Sequence, residues 1–261
     1  MDKKKRYIVI LVALVVFSLI MYFALGQSNI KSGKRELTLI VGDNAVWNYD
    51  NRKWSHISSN KTIEKLSWQD YKVYIDNKQL GNYYLWYDNE KWYIFDANRK
   101  AVTRNGPIIA YRGNYDIQVK DFQTEQTRNI YYVEKILKEK NLSTRNDYTV
   151  LTESKFDIDN DGIIENFYFV SNAFSMEQTP SKVFAFVFMI KNNQIYPIYE
   201  SIEQNDNNVN GCKPYLSAVL DIDEDNIYEM VISCGRFSIQ EPIDMLYKLS
   251  KNGFEMLISN Q

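Results

Sequence analysis

The stretch DIDNDGIIE at residues 157–165 returns in altered form as DIDEDNIYE at residues 221–229, 64 positions later. Each copy places acidic residues at positions one, three, five and nine, and each is followed by an apolar run typical of a β-strand. Alternate acidic residues in a tight turn direct their carboxylates toward one point, where they repel one another unless a cation lies among them. The two copies therefore predict two cation-binding loops between strands.

Calcium is the cation that this pattern favours, because hard oxygen ligands in this number suit calcium better than zinc or copper. Gly162 occupies the sharp turn of the first loop, and Asn226 takes the same place in the second. An EF-hand is excluded, since it needs a glutamate at position twelve, which here is Tyr168 or Ile232. The alternative is an acidic, solvated turn without metal. The predicted ligands are the side chains of Asp157, Asp159, Asp161 and Glu165 with the carbonyl of Ile163, and the side chains of Asp221, Asp223, Asp225 and Glu229 with the carbonyl of Ile227.

The pattern D-x-D-x-D-G-x-x-E between two strands resembles the calcium loops of FG-GAP and VCBS-type repeats, found in integrin-like β-propellers and bacterial surface proteins. The resemblance covers residues 148–250. It implies Ca²⁺ at the ten residues just named and a domain of blade-like antiparallel repeats. Two such repeats cannot close a propeller ring of four or more blades. They are expected to pack as a sandwich or to form a barrel with strands from the amino-terminal part.

The amino-terminal residues predict a membrane-directed segment. Residues 3–6 are all basic, and residues 7–25 carry no charge. About twenty apolar residues span a bilayer as a helix, and the basic cluster predicts a cytoplasmic amino terminus. The sequence Ala24-Leu25-Gly26 also resembles a cleavage site, so a removed signal peptide stays open. We expect a single-pass protein of the cell membrane with most of its chain outside the cytoplasm.

The remaining chain predicts a mainly β protein. Residues 121–141 interrupt the strand pattern with apolar residues at helical spacing, which predicts one amphipathic helix capped by Thr124 or Thr127 and packed on a sheet. The fold-class prediction is thus an N-terminal transmembrane helix, a β-hairpin-rich domain, this helix and a C-terminal antiparallel β domain of two blade-like repeats. In chain order the predicted parts are a cytoplasmic tail (1–6), a transmembrane anchor (7–25), a linker (26–36), a β-rich exported domain (37–115), a helical connector (116–146) and a calcium-loop β-repeat domain (147–261).

The two cysteines, Cys212 and Cys234, predict a disulfide. If the strands flanking the second loop pair as a hairpin centred on Asp223, the cysteines face each other across it. A disulfide also suits an oxidising compartment. The alternative is two free thiols.

Two aromatic segments, 47–54 and 86–92, predict hairpins with Asp-Asn at the turn. The stretch KWYIFDANRKAVTRNG at 91–106 is similar to a bacterial cell-wall-binding (choline-binding-type) repeat, although Arg99 stands where that family has a glycine. The resemblance implies aromatic side chains presented to a ligand. The other interpretation is that these aromatics are cross-strand core pairs.

Composition narrows the function. The chain has 31 basic and 33 acidic residues and no basic stripe interleaved with aromatics, so nucleic acid is not an expected partner. His56 is the only histidine and no nucleophile or phosphate-binding motif occurs, so no catalytic residue is predicted. We expect a membrane-anchored, extracytoplasmic calcium-binding protein that recognises a cell-wall glycan or a surface protein. The alternatives are a structural subunit of a membrane complex and, with less support, a glycan-active hydrolase.

Overall fold

Antiparallel strands joined by short turns dominate the fold, as the alternation of apolar and polar residues predicts. The computed structural model describes residues 36–43, 45–75, 78–104, 107–142, 150–173, 182–204, 211–236 and 242–260. The elements of this part are the strands β1 (Glu36–Val41), β2 (Ala45–Asp50), β3 (Lys53–His56), β4 (Gln69–Ile75), β5 (Lys78–Asp88), β6 (Lys91–Phe95), β7 (Ala101–Val102), β8 (Ile108–Gly113), β9 (Gln118–Val119), β10 (Thr124–Gln126), β11 (Val150–Phe156), β12 (Glu165–Ser171), β13 (Lys182–Lys191), β14 (Gln194–Gln204), β15 (Cys212–Asp221), β16 (Glu229–Arg236), β17 (Ile243–Ser250) and β18 (Gly253–Ser259), and the helices α1 (Asn60–Glu64) and α2 (Tyr131–Glu139).

The strands form three antiparallel sheets. Sheet A has the order β3-β2-β1-β8-β4-β5-β6-β7, sheet B the order β18-β17-β16-β15-β9, and sheet C the order β10-β11-β12-β13-β14. Sheets B and C each contain four consecutive strands side by side, which is a meander. The two loop-bearing repeats are therefore the meander β11–β14 in sheet C and the meander β15–β18 in sheet B.

Sheet B is buried on both faces. Along β16, Met230 and Ile232 belong to the core that sheet B shares with sheet C, whereas Val231 belongs to the core that it shares with sheet A. Successive side chains of a strand point to opposite faces. The full burial of all three residues therefore means that both faces of the sheet are covered here. The two repeats thus pack face to face as a sandwich, and sheet A covers the other side of sheet B.

Helix α2 packs on the outer face of sheet C, as predicted, through the buried Val133 and Leu137. Its predicted length and caps were wrong. Thr124 pairs with Ser154 in the ladder between β10 and β11, so the first part of the predicted helix is a strand. The helix begins at Tyr131, and its N-cap makes no side-chain hydrogen bond.

The fold-class prediction was also wrong about a transmembrane helix. Neither helix in the described part of the chain is long and apolar enough to cross a membrane. Helix α2 has nine residues, which at 1.5 Å per residue reach about half of the ~30 Å hydrocarbon layer. The predicted anchor at 7–25 and the tail at 1–6 lie outside the described residues.

Both predicted aromatic hairpins are present, but their turns begin one residue later than expected. Asp50 is the last paired residue of β2, and Asn51 and Arg52 make the turn with positive φ. Asn89 and Glu90 make the same kind of turn between β5 and β6. Two successive positive φ angles define a type I′ turn, whose twist matches that of the flanking strands.

The predicted disulfide between Cys212 and Cys234 is present, with 5.3 Å between the Cα atoms. The two cysteines are diagonal neighbours, since Cys212 pairs with Arg236 in the ladder. Next to the loop the predicted register was three residues off, since Leu220 pairs with Glu229. The irregularity between Leu216 and Ala218 reduces the difference to two residues at the cysteines.

Candidate functional site

Each acidic motif forms the connection between the first and second strands of a meander. Residues 157–165 link β11 to β12, and residues 221–229 link β15 to β16. Glu165 and Glu229 each begin the second strand, and each is only 1% exposed. The two motifs therefore hold equivalent places in the two repeats.

Backbone N–H groups close the first loop onto its own carboxylates. Asp157 accepts hydrogen bonds from the N–H of Asp161 at 3.2 Å and of Gly162 at 3.0 Å. The φ of Gly162 is +85°, a conformation that glycine adopts at little cost. Oε2 of Glu165 accepts from the N–H of Ile158 at 3.1 Å. Asp157 thus shapes the turn, and the buried glutamate anchors the loop to the strand.

A lysine ammonium occupies the centre of the first loop. Nζ of Lys191 lies 2.7 Å from Oδ2 of Asp159 and 2.8 Å from Oδ2 of Asp161. It also lies 2.8 Å from Oε1 of Glu165. Lys191 ends β13, the strand next to β12, and this register brings it beside the glutamate. The ammonium takes the position that the sequence pattern assigned to a metal ion.

The second loop has the same internal hydrogen bonds. Asp221 accepts from the N–H of Asp225 and of Asn226, both at 3.2 Å. Oε2 of Glu229 accepts from the N–H of Ile222 at 2.9 Å. The φ of Asn226 is +65°, so the asparagine takes the conformation that glycine takes in the first loop.

A second lysine fills the second loop in the same way. Nζ of Lys248 lies 2.7 Å from Oδ2 of Asp223, 2.8 Å from Oδ2 of Asp225 and 2.9 Å from Oε1 of Glu229. Lys248 pairs directly with Glu229 across β16 and β17. Both repeats therefore carry an acidic loop and, on the third strand of the meander, a lysine that neutralises it.

The predicted carbonyl ligands take part in the loops through their N–H groups. The N–H of Ile163 donates to Oδ1 of Asp161 at 2.8 Å, and the N–H of Ile227 donates to Oδ1 of Asp225 at 2.9 Å. A ligand role for the two carbonyl oxygens stays a prediction.

The electrostatics of the loops keep the lysines charged. Burial opposes the charged form of Lys191 and Lys248, but the hydrogen bonds that the ammonium groups donate to the carboxylates outweigh it and raise the pKa of both lysines. The hydrogen bond from Lys191 lowers the pKa of Asp161. Burial raises the pKa of Glu229 to about 7, although the N–H of Ile222 and the ammonium of Lys248 oppose this shift.

The two loops lie next to each other. The N–H of Tyr228 donates to the carbonyl of Ile158 at 2.8 Å, which joins the second motif to the first. Lys120 spans the junction, with Nζ 2.5 Å from the carbonyl of Asp157, 3.1 Å from Oδ1 of Asn160 and 4.5 Å from the centre of the Tyr228 ring. Both cation positions therefore belong to one end of the sandwich.

Each loop also offers a donor set that could hold a metal ion. Such an ion would have to displace a lysine, because in each loop the ammonium already contacts two of the three residues that would hold it. The geometry does not identify the metal. In each loop three carboxylate oxygens lie within 4.8 Å of one another, and they belong to Asp157, Asp159 and Glu165 in the first and to Asp221, Asp223 and Asp225 in the second.

The two lysines were missed from the sequence, although one signal was present. Lys248 interrupts the apolar run MLYKL at 245–249, and a lysine inside such a strand needs an acidic partner. Choosing that partner requires the strand register, which local patterns do not supply.

Comparison with known proteins finds no matching family model, no matching curated protein and no matching solved structure. The resemblance to FG-GAP and VCBS-type repeats therefore stays a prediction, and function has to be argued from the site itself.

Proposed function

We propose that the protein is an extracytoplasmic recognition module that binds calcium in its two acidic loops and recognises a cell-wall glycan or a surface protein. The observation that carries the calcium part is the convergence of three carboxylate oxygens on one positive charge in each of two equivalent loops. An all-oxygen donor set suits Ca²⁺. The Cys212–Cys234 disulfide supports an oxidising, extracytoplasmic location.

Calcium binding in this arrangement is an exchange of cations. Ca²⁺ carries twice the charge of an ammonium group and takes six to eight oxygen ligands, so it can gather the loop carboxylates and water together. The side chains of Lys191 and Lys248 are 16% and 19% exposed. Both lysines therefore already border solvent. Extracellular calcium modules typically have dissociation constants of ~10⁻⁴–10⁻³ M. Because Ca²⁺ must here displace a lysine ammonium, we expect these loops to bind at the weak end of that range.

A structural role suits these loops better than catalysis does. A glycosidase needs one carboxylic acid that can donate a proton. In both loops, however, the carboxylates are held by backbone N–H groups and by a lysine ammonium. The raised pKa of Glu229 does not change this, because its side chain is buried away from any substrate. The loops therefore act as supports of a rigid sandwich.

The calcium part is tested by thermal unfolding of the full chain in millimolar Ca²⁺, in Mg²⁺ and with chelator. We expect Ca²⁺ to stabilise the wild type by about 1.4 kcal/mol per site at tenfold excess over the dissociation constant. Asp159→Ala and Asp223→Ala should each abolish the Ca²⁺-dependent stabilisation that one site contributes. Equal melting temperatures with Ca²⁺ and with chelator, in the wild type and also in Lys191→Met and Lys248→Met, would exclude calcium.

The recognition part is tested by sedimentation of the full chain with purified peptidoglycan and by cross-linking on whole cells. Saturable binding to the glycan, or to one surface protein, supports the proposal. Co-purification with a membrane complex in the absence of either would favour the structural role, and hydrolysis of a glycan would contradict the proposal.

A further inference from the structure

Five aromatic side chains lie together on the outer face of β5 and β6, near the edge of sheet A. The face follows from strand alternation, because Leu85 and Trp92 are buried in the core on the other side. Their neighbours along each strand consequently point outward. We call this group the aromatic patch, and it consists of Trp68, Tyr84, Trp86, Tyr93 and Phe95.

The rings of the aromatic patch form one surface. The centre of the Trp68 ring lies 6.3 Å from that of Trp86, with 21° between the planes, and 5.1 Å from that of Phe95. The ring of Trp86 lies 5.6 Å from that of Tyr93. Despite these contacts, Trp68 is 46%, Tyr93 40% and Tyr84 36% exposed. Aromatic side chains of this size left in water as a group mark an interaction site.

Two residues at the patch have costly backbone conformations. Trp68 has a φ of +59° and Arg99 a φ of +60°, although neither is a glycine. The guanidinium of Arg99 lies 5.5 Å from the centre of the Trp68 ring. The N–H of Trp68 donates to the carbonyl of Leu85 at 2.6 Å, which holds the strained residue against β5. The hydrogen bond and the contact with Arg99 thus fix the Trp68 ring in its place on the patch.

Charges of both signs surround the rings. Asp70 pairs with Tyr84 across β4 and β5, and its carboxylate accepts a hydrogen bond from Asn82 at 3.4 Å. Asp88 pairs with Lys91 at the far end of β5 and β6. With Arg99, and with Glu90 in the turn between Asp88 and Lys91, the rim carries acidic and basic groups in nearly equal number. A balanced rim suits a ligand without net charge, and Arg99 already occupies the position over Trp68 that a cationic ligand would take.

We propose that the aromatic patch binds a neutral glycan strand whose pyranose rings stack on Trp68, Trp86 and Tyr93. This inference rests on the proposed recognition function and names its ligand class and site. The C–H groups on one face of a pyranose ring are weakly positive and complement the negative face of an aromatic ring. Sugar hydroxyls can hydrogen-bond to the rim groups Asp70 and Arg99. An apolar protein surface would instead strip water from these charges without replacing it.

The test is isothermal titration calorimetry of the full chain with chitohexaose and cellohexaose, two soluble β-linked glycans. We expect Trp68→Ala and Trp86→Ala to weaken binding at least tenfold. Tyr131→Ala is the matched control, because Tyr131 is a 68% exposed aromatic on α2, on the outer side of sheet C, and should bind as the wild type does. Tyr93→Ala serves as a further variant if a tryptophan variant fails to fold, which thermal unfolding shows directly.

The possible outcomes distinguish an error in the location of the site from an error in the proposed recognition function. Glycan binding by the wild type that both tryptophan variants retain overturns the patch as the site and leaves the recognition function standing. A wild type that binds neither oligosaccharide overturns the glycan assignment, and sedimentation and cross-linking then decide whether a surface protein is the partner. Loss of binding in both tryptophan variants, with Tyr131→Ala unchanged, supports the proposal.

Discussion

Glu229 and Lys248 stand directly opposite each other on β16 and β17, with 2.9 Å between Oε1 and Nζ. Glu165 and Lys191 hold the equivalent places on β12 and β13, next to the paired residues Asn166 and Ile190, with 2.8 Å between Oε1 and Nζ. Each glutamate is buried and each lysine is mostly so, which limits screening by water. The protein itself therefore supplies the positive charge that its crowded carboxylates require.

Replacement of Lys248 by methionine should destabilise the fold strongly when divalent ions are absent. The variant leaves three carboxylates close together, one of them buried, without a counter-charge. Removal of one partner of a well-buried ion pair costs 3–5 kcal/mol, and the partial exposure of the two aspartates reduces this to about 2–3 kcal/mol. Urea denaturation in chelator measures the loss. Lys191→Met should behave alike, and millimolar Ca²⁺ should restore part of the stability of both variants.

The matched control for these variants is Lys140→Met. Lys140 pairs with Glu200 at 2.6 Å, but both side chains are 40% exposed. An exposed pair contributes at most about 1 kcal/mol, so this variant should stay close to the wild type. Equal losses in the loop variants and in the control would refute a special role for the two lysines.

Reduction of the Cys212–Cys234 disulfide should lower the free energy of unfolding by about 3 kcal/mol, because a cross-link over 22 residues restricts the unfolded chain. Urea denaturation with and without reductant measures the effect. The double variant Cys212→Ala/Cys234→Ala should have the lower stability under both conditions. A reductant effect that persists in this variant would show that another process is responsible.

Asp244 should make stability depend on pH. Its side chain is 3% exposed, and burial raises its pKa from 3.8 to about 6, against a hydrogen bond from Ser233. Between these values the folded state retains a proton that the unfolded state has lost. The protonated Asp244 therefore contributes its full stabilisation below about pH 4. This contribution decreases as the pH rises to about 6 and is lost above that pH.

Asp244→Asn should remove this dependence, since the amide is neutral and its oxygen can still accept from Ser233. Relative to the wild type, the variant should gain up to about 3 kcal/mol between pH 4 and pH 7. Urea denaturation of both proteins at the two pH values isolates the effect. An identical pH dependence in wild type and variant would contradict the raised pKa.

Gly113→Ala should disrupt the pairing of β1 with β8. A Cβ at this position would lie 2.2 Å from the carbonyl oxygen of Glu36, and Gly113 pairs with Leu37 in the ladder. Forcing the strands apart should cost about 2–3 kcal/mol. Gly253→Ala is the control, since it has a φ of +113° but an open space at its Cβ, so strain alone should cost about 1 kcal/mol. Denaturant unfolding compares the two, and equal costs would contradict the steric argument.

The local features of this protein could be predicted from its sequence. The loop at 157–165 was recognisable because its own hydrogen bonds are local, as in the contacts of Asp157 with Asp161 and Gly162. The hairpins at 47–54 and 86–92 were recognisable for the same reason. The disulfide could be predicted because the two cysteines lie on the two strands of one hairpin.

Helix α2 shows where local patterns stop being sufficient. Thr124 and Thr127 both suit a helix N-terminus, but Thr124 pairs in a sheet with Ser154, which is 30 residues away in the chain. That strand partner outweighs the local preference, because a completed ladder satisfies more backbone groups than one helix cap does.

The sequence by itself determined most of the strands, the two acidic loops and the need for a positive charge at each loop, since these depend on neighbouring residues. Only the tertiary structure decided that Lys191 and Lys248 supply that charge and that Trp68 joins Trp86 and Tyr93 on one surface. Each lysine reaches its loop through the register of a neighbouring strand, and Trp68 reaches its ring partner through a turn before β4. Register and turn placement depend on the packing of whole sheets, which no short stretch of sequence specifies.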